Sequence, residues 1–137
     1  LHTIEKNLRY NLSLKTTPLP ARYRLLVSDL FSGLAHTDKF DYIATNPPYI
    51  DPALNRTAET VKLYGPPAAL YGGNLGLELI IGIINEAKAH LTSSGEVWLE
   101  HEPEQSITIQ SLAQPDFFVS THTDQYGVQR YSRLVLK

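Results

Sequence analysis

The sequence predicts an α/β fold with a mostly parallel sheet that ends in an antiparallel hairpin. Segments suited to strands alternate with segments that repeat apolar residues at helical spacing, which is typical of a sheet covered by helices. The last two predicted strands are joined by QYGVQR, a connector short enough for a hairpin. With 137 residues, of which 42% are hydrophobic and 19% charged, the chain has the size and composition of about one globular domain.

The first half of the chain is predicted to contain one helix and two strands. Residues 1–14, LHTIEKNLRYNLSL, repeat leucine and isoleucine on one helical face. A connector rich in turn residues leads to a predicted strand at 24–31, RLLVSDLF, and a second strand follows at 39–46, KFDYIATN. Residues 51–74 are rich in proline, glycine and asparagine, and we expect a long irregular loop there, a feature that is often functional.

The second half is predicted to contain two helices and three strands. Residues 75–91 have the pattern of an amphipathic helix, which we expect Ser93-Ser94-Gly95 to end. EVWLEH, at 96–101, is a predicted strand, and Pro103 is suited to open the next helix because its missing N–H costs nothing there. The closing strands are predicted at 116–124 and 131–137.

Composition excludes several classes of function. The net charge of −2 provides no basic surface for nucleic acid, and no apolar run approaches the roughly 20 residues of a membrane span. Cysteine is absent, so there are neither disulfides nor thiolate metal sites, and the five histidines lack metal-ligand spacing. We therefore expect no metal, no direct nucleic-acid partner and no membrane.

Four residues at the end of the second strand, Asn46-Pro47-Pro48-Tyr49, form a stiff polar corner. Each proline has a fixed φ, holds the preceding residue extended and offers no N–H. The Asn46 side-chain oxygen and the Pro47 carbonyl could then accept the two hydrogens of a planar NH2 group while Tyr49 stacks on it. Acceptors fixed in this way favour a pyramidal, nucleophilic nitrogen. The alternative is an ordinary proline-rich strand exit with Tyr49 as a packing residue.

The segment DYIATNPPYI resembles the catalytic motif of class I S-adenosylmethionine-dependent methyltransferases that act on amino nitrogens. GPPAALYGGNLGLELI, GEVWLEH and DQYGVQR narrow the resemblance to the HemK/PrmC-type release factor glutamine methyltransferases, from Ser28 to Lys137. The resemblance implies a partial Rossmann-like class I methyltransferase sheet. It also implies methylation of the glutamine side-chain amide in the Gly-Gly-Gln loop of a peptide-chain release factor, the protein partner, and hence a role in translation termination.

Carried over residue by residue, the resemblance gives the corner its roles. It implies that Asn46, Pro47 and Tyr49 are catalytic and that these residues and Pro48 bind the substrate amide. Asp29 matches an acidic position that contacts the cofactor adenine, and Leu30 and Asn46 are assigned to cofactor binding with it. For Asp29 the alternative is a cap at the end of a strand.

Further residues are assigned to the surroundings of the corner. The resemblance implies that three glycines shape the loop beside the substrate, although glycine needs no special function in a turn. The family usually has a glutamate where this sequence has Gly65, and Tyr64 and Glu59 are the candidates to replace it. Glu100 and His101 end a strand near the site and are expected at most to support it. The three glycines are Gly72, Gly73 and Gly76.

S-adenosylmethionine is the implied cofactor, yet the residues that would bind most of it are missing. Class I proteins hold it with a glycine-rich turn after the first strand, whereas this chain has no glycine before Gly33. In the family sheet order 3-2-1-4-5-7-6, residues 24–30 would be the third strand and DYIATN the fourth, and the first two strands are absent. Because the chain starts at Leu1 and contains no methionine, we expect a processed protein or a piece of a longer one. We predict one incomplete domain, 1–137, that alone binds the cofactor poorly or not at all.

Two other functions stay open. The same corner serves methyltransferases of adenine N6 or guanine N2 in nucleic acids, although those enzymes need a basic stripe. A truncated, non-catalytic remnant that only binds a glutamine-bearing loop is the other alternative. We expect a mitochondrial or cytoplasmic location, with the wording LYGPPAALYGG slightly favouring mitochondria.

Overall fold

The structure is a computed structural model that describes residues 2–13, 24–55 and 57–137. The chain separates into two compact units, Leu1–Leu34 and Ala35–Lys137. The expectation that residues 1–137 form one incomplete domain stays a prediction.

The described residues of the first unit form one helix and one turn. Helix α1 spans His2–Ser13, which confirms the helix predicted at the start of the chain. The strand predicted at 24–31 is wrong for the described residues: 24–28 have no regular structure, and Val27 is 83% exposed. A strand exists only where a neighbour completes its hydrogen bonds, and no described strand pairs with this run. The run ends in a turn in which Ser28 Oγ accepts a 2.7 Å hydrogen bond from the Gly33 N–H.

A four-stranded sheet organises the second unit. Its strands are β1 (Phe40–Thr45), β2 (Leu91–Glu100), β3 (Phe117–Thr123) and β4 (Gln129–Leu136). They lie in the order β1-β2-β4-β3. β1 and β2 are parallel, and β4 is antiparallel to both β2 and β3. The α/β class and the C-terminal hairpin are confirmed. The strand order matches the 4-5-7-6 half of the expected sheet. The prediction of a mostly parallel sheet is wrong for the described strands, whose pairing is mixed.

Two helices pack their apolar residues into the core of this unit. Helix α3 spans Glu78–Ala87, and α4 spans Ser106–Ala113 after the 3₁₀ turn Pro103–Gln105, as the position of Pro103 predicts. Burial of valine, leucine and isoleucine side chains is the main stabilising contribution to such a fold, and each fully buried one contributes roughly 1.5–3 kcal/mol. The fully buried aliphatic residues are Ile80 and Ala87 of α3, Val97 and Leu99 of β2, Ile109 and Ala113 of α4, and Leu134 of β4.

Helix α3 ends before the predicted stop. Ser93, Ser94 and Gly95 lie inside β2, which already begins at Leu91. The reason is the pairing with β1, whose register shifts between Phe40 and Tyr42. A Cβ atom at Gly95 would lie 2.8 Å from the Phe40 carbonyl oxygen, so this glycine lets the two strands come together at the irregularity.

The segment 51–74 is more regular than the predicted loop. It contains a six-residue helix, α2 (Glu59–Tyr64), and the single 3₁₀ turns Pro52–Leu54 and Pro67–Ala69. A loop is predicted because the segment is rich in proline. Prolines instead begin the two 3₁₀ turns, at positions where the missing N–H costs nothing. Among the helices in the described residues, none has the length and apolarity needed to cross a membrane.

Candidate active site

The corner Asn46–Tyr49 begins where β1 ends, at the carboxyl end of the parallel strand. Asn46 is exposed and Pro47 is buried. Within the described ranges, no residue forms a hydrogen bond with the Asn46 side chain or the Pro47 carbonyl oxygen. The corner lines a small hollow of about 170 Å³, together with Ile50, Ala69 and Leu70. Neither predicted acceptor therefore has a hydrogen bond from the described residues, and both belong to residues that line the hollow.

The loop that carries the predicted glycines holds the corner in place. Ile50 pairs with Tyr71 in a parallel bridge, in which the Ile50 N–H donates to the Leu70 carbonyl and the Gly72 N–H donates to the Ile50 carbonyl, both over 3.0 Å. A Cβ atom at Gly72 would collide with the Pro48 carbonyl oxygen, and one at Gly76 with the Tyr49 carbonyl oxygen. Gly76 also has a φ of 68°. Side chains are thus excluded where this loop touches the corner.

Gln105 is a supporting residue that the sequence reasoning missed. Its side chain is 5% exposed, and its Nε2 donates hydrogen bonds of 2.9 Å to the carbonyl oxygens of Tyr49 and Leu75. Its Oε1 accepts a hydrogen bond from the Glu102 N–H, also over 2.9 Å. One buried amide therefore ties together the corner, the glycine loop and the start of α4. The spacing Glu102-Pro-x-Gln105 was the available signal, since it allows a capping box at a helix start.

The hydroxyl of Tyr49 donates a 2.8 Å hydrogen bond to Glu100 Oε1. Burial, followed by this hydrogen bond and the negative charge of Glu100, raises the pKa of Tyr49 to about 12. Tyr49 therefore stays neutral at physiological pH, and its hydroxyl is engaged. Glu100 supports the corner directly, because it holds the ring of Tyr49 in place.

His101, by contrast, is a structural residue. Its side chain is 0% exposed, its Nδ1 lies 2.8 Å from the Glu102 carbonyl oxygen, and its Nε2 lies 2.8 Å from Ser132 Oγ. A carbonyl only accepts, so Nδ1 carries the proton and Nε2 accepts from the serine hydroxyl. Burial lowers the pKa of His101, which is neutral and fully satisfied in the fold.

The position that departs from the family, Gly65, ends helix α2. Its N–H donates to the Val61 carbonyl oxygen over 2.8 Å, and a Cβ atom there would lie 2.7 Å from that same oxygen. Neither candidate replacement lines the hollow: Glu59 forms an ion pair of 2.9 Å with Lys62, and Tyr64 is 87% exposed. Among the described residues, no acidic side chain lines the hollow.

The predicted cofactor residues Asp29 and Leu30 lie in the turn of the first unit. Asp29 is exposed, its carbonyl oxygen accepts a 3.0 Å hydrogen bond from the Ser32 N–H, and Leu30 has a φ of 45°. One exposed carboxylate beside a tight turn provides too few hydrogen-bonding groups to hold a nucleoside-sized cofactor. The residues present do not by themselves fit S-adenosylmethionine, and the assignments of Asp29, Leu30 and Asn46 to it stay predictions.

Comparisons with known proteins give a consistent set of relatives, although no family model matches the chain. The chain is 36% identical to the release factor glutamine methyltransferase of Lactococcus lactis over 116 residues, which are 80% of this chain and 42% of that protein. It is 40% identical to the ribosomal protein uL3 glutamine methyltransferase of Francisella tularensis over 90 residues, which are 66% of this chain and 28% of that protein.

A solved structure is also similar. It is the release factor-specific protein-(glutamine-N5) methyltransferase of Alicyclobacillus acidocaldarius, with 20% identity and a TM-score of 0.47 over 72% of this chain and 50% of that one. The chain spans less than half the length of the curated relatives described above.

Proposed function

Because this sequence is related to the protein-glutamine methyltransferases, we propose that it forms the amide-binding part of such an enzyme. The proposed substrate is the glutamine in the Gly-Gly-Gln loop of a peptide-chain release factor. The proposed methyl donor is S-adenosylmethionine, which supplies an electrophilic methyl group when bound. A mitochondrial or cytoplasmic location is part of the same proposal.

The state of Asn46 is the observation that carries the proposal. Its side chain is exposed, lines the hollow, and has no hydrogen bond to any residue in the described ranges. A merely structural asparagine at the end of a strand would be expected to cap its own backbone. An unengaged amide beside an unengaged Pro47 carbonyl is what a site for a second amide group requires.

In the proposed reaction the corner binds and orients the substrate nitrogen. Asn46 Oδ1 accepts one hydrogen of the glutamine NH2 group, and the Pro47 carbonyl accepts the other. An amide nitrogen is a poor nucleophile because its lone pair is delocalised, and two fixed acceptors favour the pyramidal form in which that pair is available. Preorganised dipoles of this kind contribute about 3 kcal/mol to transition-state binding. Tyr49 contacts the substrate amide through its ring, since its hydroxyl is hydrogen-bonded to Glu100.

Mass spectrometry of a release factor tests the function. The longest translated product that contains this sequence is incubated with S-adenosylmethionine and a release factor, and in parallel with ribosomal protein uL3, with RNA and with DNA. We expect one methyl group on the Gly-Gly-Gln peptide of the release factor and its loss with Asn46→Ala. Methylation of uL3 alone would change the proposed substrate but keep the reaction.

Two results would replace the proposal. Methylation of adenine or guanine alone would favour the nucleic-acid enzyme. Binding of the release factor without methylation of any substrate would favour the non-catalytic remnant. Circular dichroism of Asn46→Ala serves as the control for folding, since an exposed side chain without hydrogen bonds should change the free energy of unfolding by less than about 0.5 kcal/mol.

A further inference from the structure

A second and larger cavity lies directly beside the corner. It has a volume of about 290 Å³ and shares two consecutive wall residues, Tyr49 and Ile50, with the hollow at Asn46. This volume is at the lower end of the range for small-ligand sites, about 300 Å³. We call it the flank cavity. Its remaining apolar lining consists of Leu54, Leu75 and Leu77, with Thr57, Gln105 and Thr108 among the polar lining residues.

Two features of its lining are unusual. Thr57 Oγ1 is buried and has no hydrogen-bond partner among the residues that the structure describes, a rare state for a buried hydroxyl. Leu75 has a φ of 54°, a costly conformation for a leucine, and Gln105 holds it there through the Leu75 carbonyl. Leu75 is nevertheless 59% exposed, and Leu54 is 47% exposed. Apolar side chains are thus presented at the cavity, around an unsatisfied hydroxyl.

The acidic lining residues do not call for a cationic ligand. The Asp51 carboxylate accepts a 2.9 Å hydrogen bond from the Ala53 N–H, and Glu102 forms a 2.8 Å ion pair with Arg130. Glu104 also has an interaction within the protein. With the carboxylates of Asp51 and Glu102 engaged, the surface left for a ligand is mainly aliphatic.

We propose that the flank cavity binds an aliphatic side chain of the substrate polypeptide, one or two residues from the target glutamine. The inference rests on the proposed function, since it places the glutamine amide at Asn46. In an extended segment successive residues advance by about 3.3 Å, so a neighbouring side chain falls within reach of a cavity that shares a wall with the hollow. The Thr57 hydroxyl then bonds a main-chain polar group of that segment.

Nuclear magnetic resonance titrations of the 137-residue chain test this inference. The probes are an alanine-based peptide with a central Gly-Gly-Gln, the same peptide with leucine at the first or at the second position after the glutamine, and the capped amino acid N-acetyl-leucine methylamide. The Asn46 side-chain NH2 signals report on the corner, and the Thr57 and Leu77 methyl signals report on the flank cavity. Leucine at one position should tighten peptide binding about tenfold and shift both methyl signals.

Two variants on one helix provide the matched control. Thr108→Trp fills the cavity from an exposed position on α4, and Gln110→Trp adds the same side chain at an exposed position outside the lining. The preference for leucine should vanish in Thr108→Trp and persist in Gln110→Trp, while the alanine peptide binds all three proteins equally.

The alanine peptide and the capped leucine together separate failure of this inference from failure of the proposed function. If the alanine peptide leaves the Asn46 signals unchanged but capped leucine shifts Thr57 and Leu77 in all proteins except Thr108→Trp, the amide site is wrong and the aliphatic cavity stands. If the alanine peptide shifts Asn46 and no leucine position tightens binding, the cavity inference is overturned. A leucine preference that survives in Thr108→Trp also overturns it.

Discussion

The side-chain amide of Gln105 donates a 2.9 Å hydrogen bond to the main-chain oxygen of Tyr49, a residue 56 positions earlier in the chain. The same nitrogen donates to Leu75, so one buried group at the start of α4 fixes both the corner and the loop beside it. The rigidity of the corner therefore comes from the fold as well as from its prolines.

Replacing Gln105 should destabilise the protein. In Gln105→Leu, the Tyr49 and Leu75 carbonyls and the Glu102 N–H lose their side-chain partner, which should lower the free energy of unfolding by about 2–4 kcal/mol. Urea denaturation followed by circular dichroism measures the loss. Gln110→Leu, an exposed substitution of the same kind on α4, should have little effect. Equal stability of the two variants would show that the Gln105 hydrogen bonds do not hold the corner.

Tyr49 should ionise only in strong alkali. Burial and the Glu100 hydrogen bond raise its pKa to about 12, from an ordinary value of about 10. The folded state then binds the proton more tightly than the unfolded state, so this contribution to stability is complete below about pH 10 and is lost as the pH rises through about 12. The ultraviolet absorbance of ionised tyrosine is measured against pH for the wild type and for Tyr49→Phe. The difference between the two curves gives the ionisation of Tyr49 alone. Glu100→Gln should lower the midpoint, and a wild-type midpoint near 10 would contradict the Tyr49–Glu100 contact.

His101 should make the protein less stable in mild acid. Burial lowers its pKa, so the unfolded state takes up a proton that the folded state refuses. Stability is complete above the ordinary histidine pKa of about 6.5 and declines as the pH falls toward the lowered value, by at most about 1.4 kcal/mol per pH unit for one proton. Thermal unfolding between pH 7.5 and 5 measures the decline. His101→Gln should flatten it, whereas His36→Gln, at an exposed position, should not.

The chain by itself should bind S-adenosylmethionine poorly or not at all. It has no glycine before Gly33, and its predicted cofactor carboxylate, Asp29, lies exposed beside a tight turn. Isothermal titration calorimetry with the 137 residues should give no saturable heat at micromolar concentrations. A dissociation constant in the micromolar range would mean that these residues form a cofactor site that the sequence does not reveal.

What the sequence predicts well depends on local pattern. The spacing of Ile80, Ile83 and Ile84 predicts the buried face of α3, and the prolines predict an irregular corner directly after β1. The glycines at 72 and 76 are expected beside the corner, and they lie against its carbonyl oxygens. The face of α3 and the irregular corner are encoded by residues close together in the chain, whereas the position of the glycines is what the resemblance to the HemK/PrmC-type enzymes implies.

What the sequence fails to predict depends on distant partners. The run 24–31 has the composition of a strand, but a strand needs a neighbour to pair with, and Val27 is largely exposed instead. Ser93 and Ser94 belong to β2, whose pairings with β1 at Leu91 and Glu96 lie on either side of them, and no local pattern records that partner strand. The bond from Gln105 to Tyr49 spans 56 positions, and the local spacing Glu102-Pro-x-Gln105 predicts a capping box at the helix start but not this bond.

The central claim is that Asn46 and Pro47 bind the NH2 group of a glutamine side chain. The most direct test is titration of the isotopically labelled 137-residue chain with a Gly-Gly-Gln peptide, while the Asn46 side-chain signals are followed by nuclear magnetic resonance. We predict saturable shifts of these signals, loss of binding in Asn46→Ala, and no binding of a Gly-Gly-Glu peptide, which has no NH2 group to donate. Equal binding of the glutamine and glutamate peptides, or undiminished binding in Asn46→Ala, would contradict the claim.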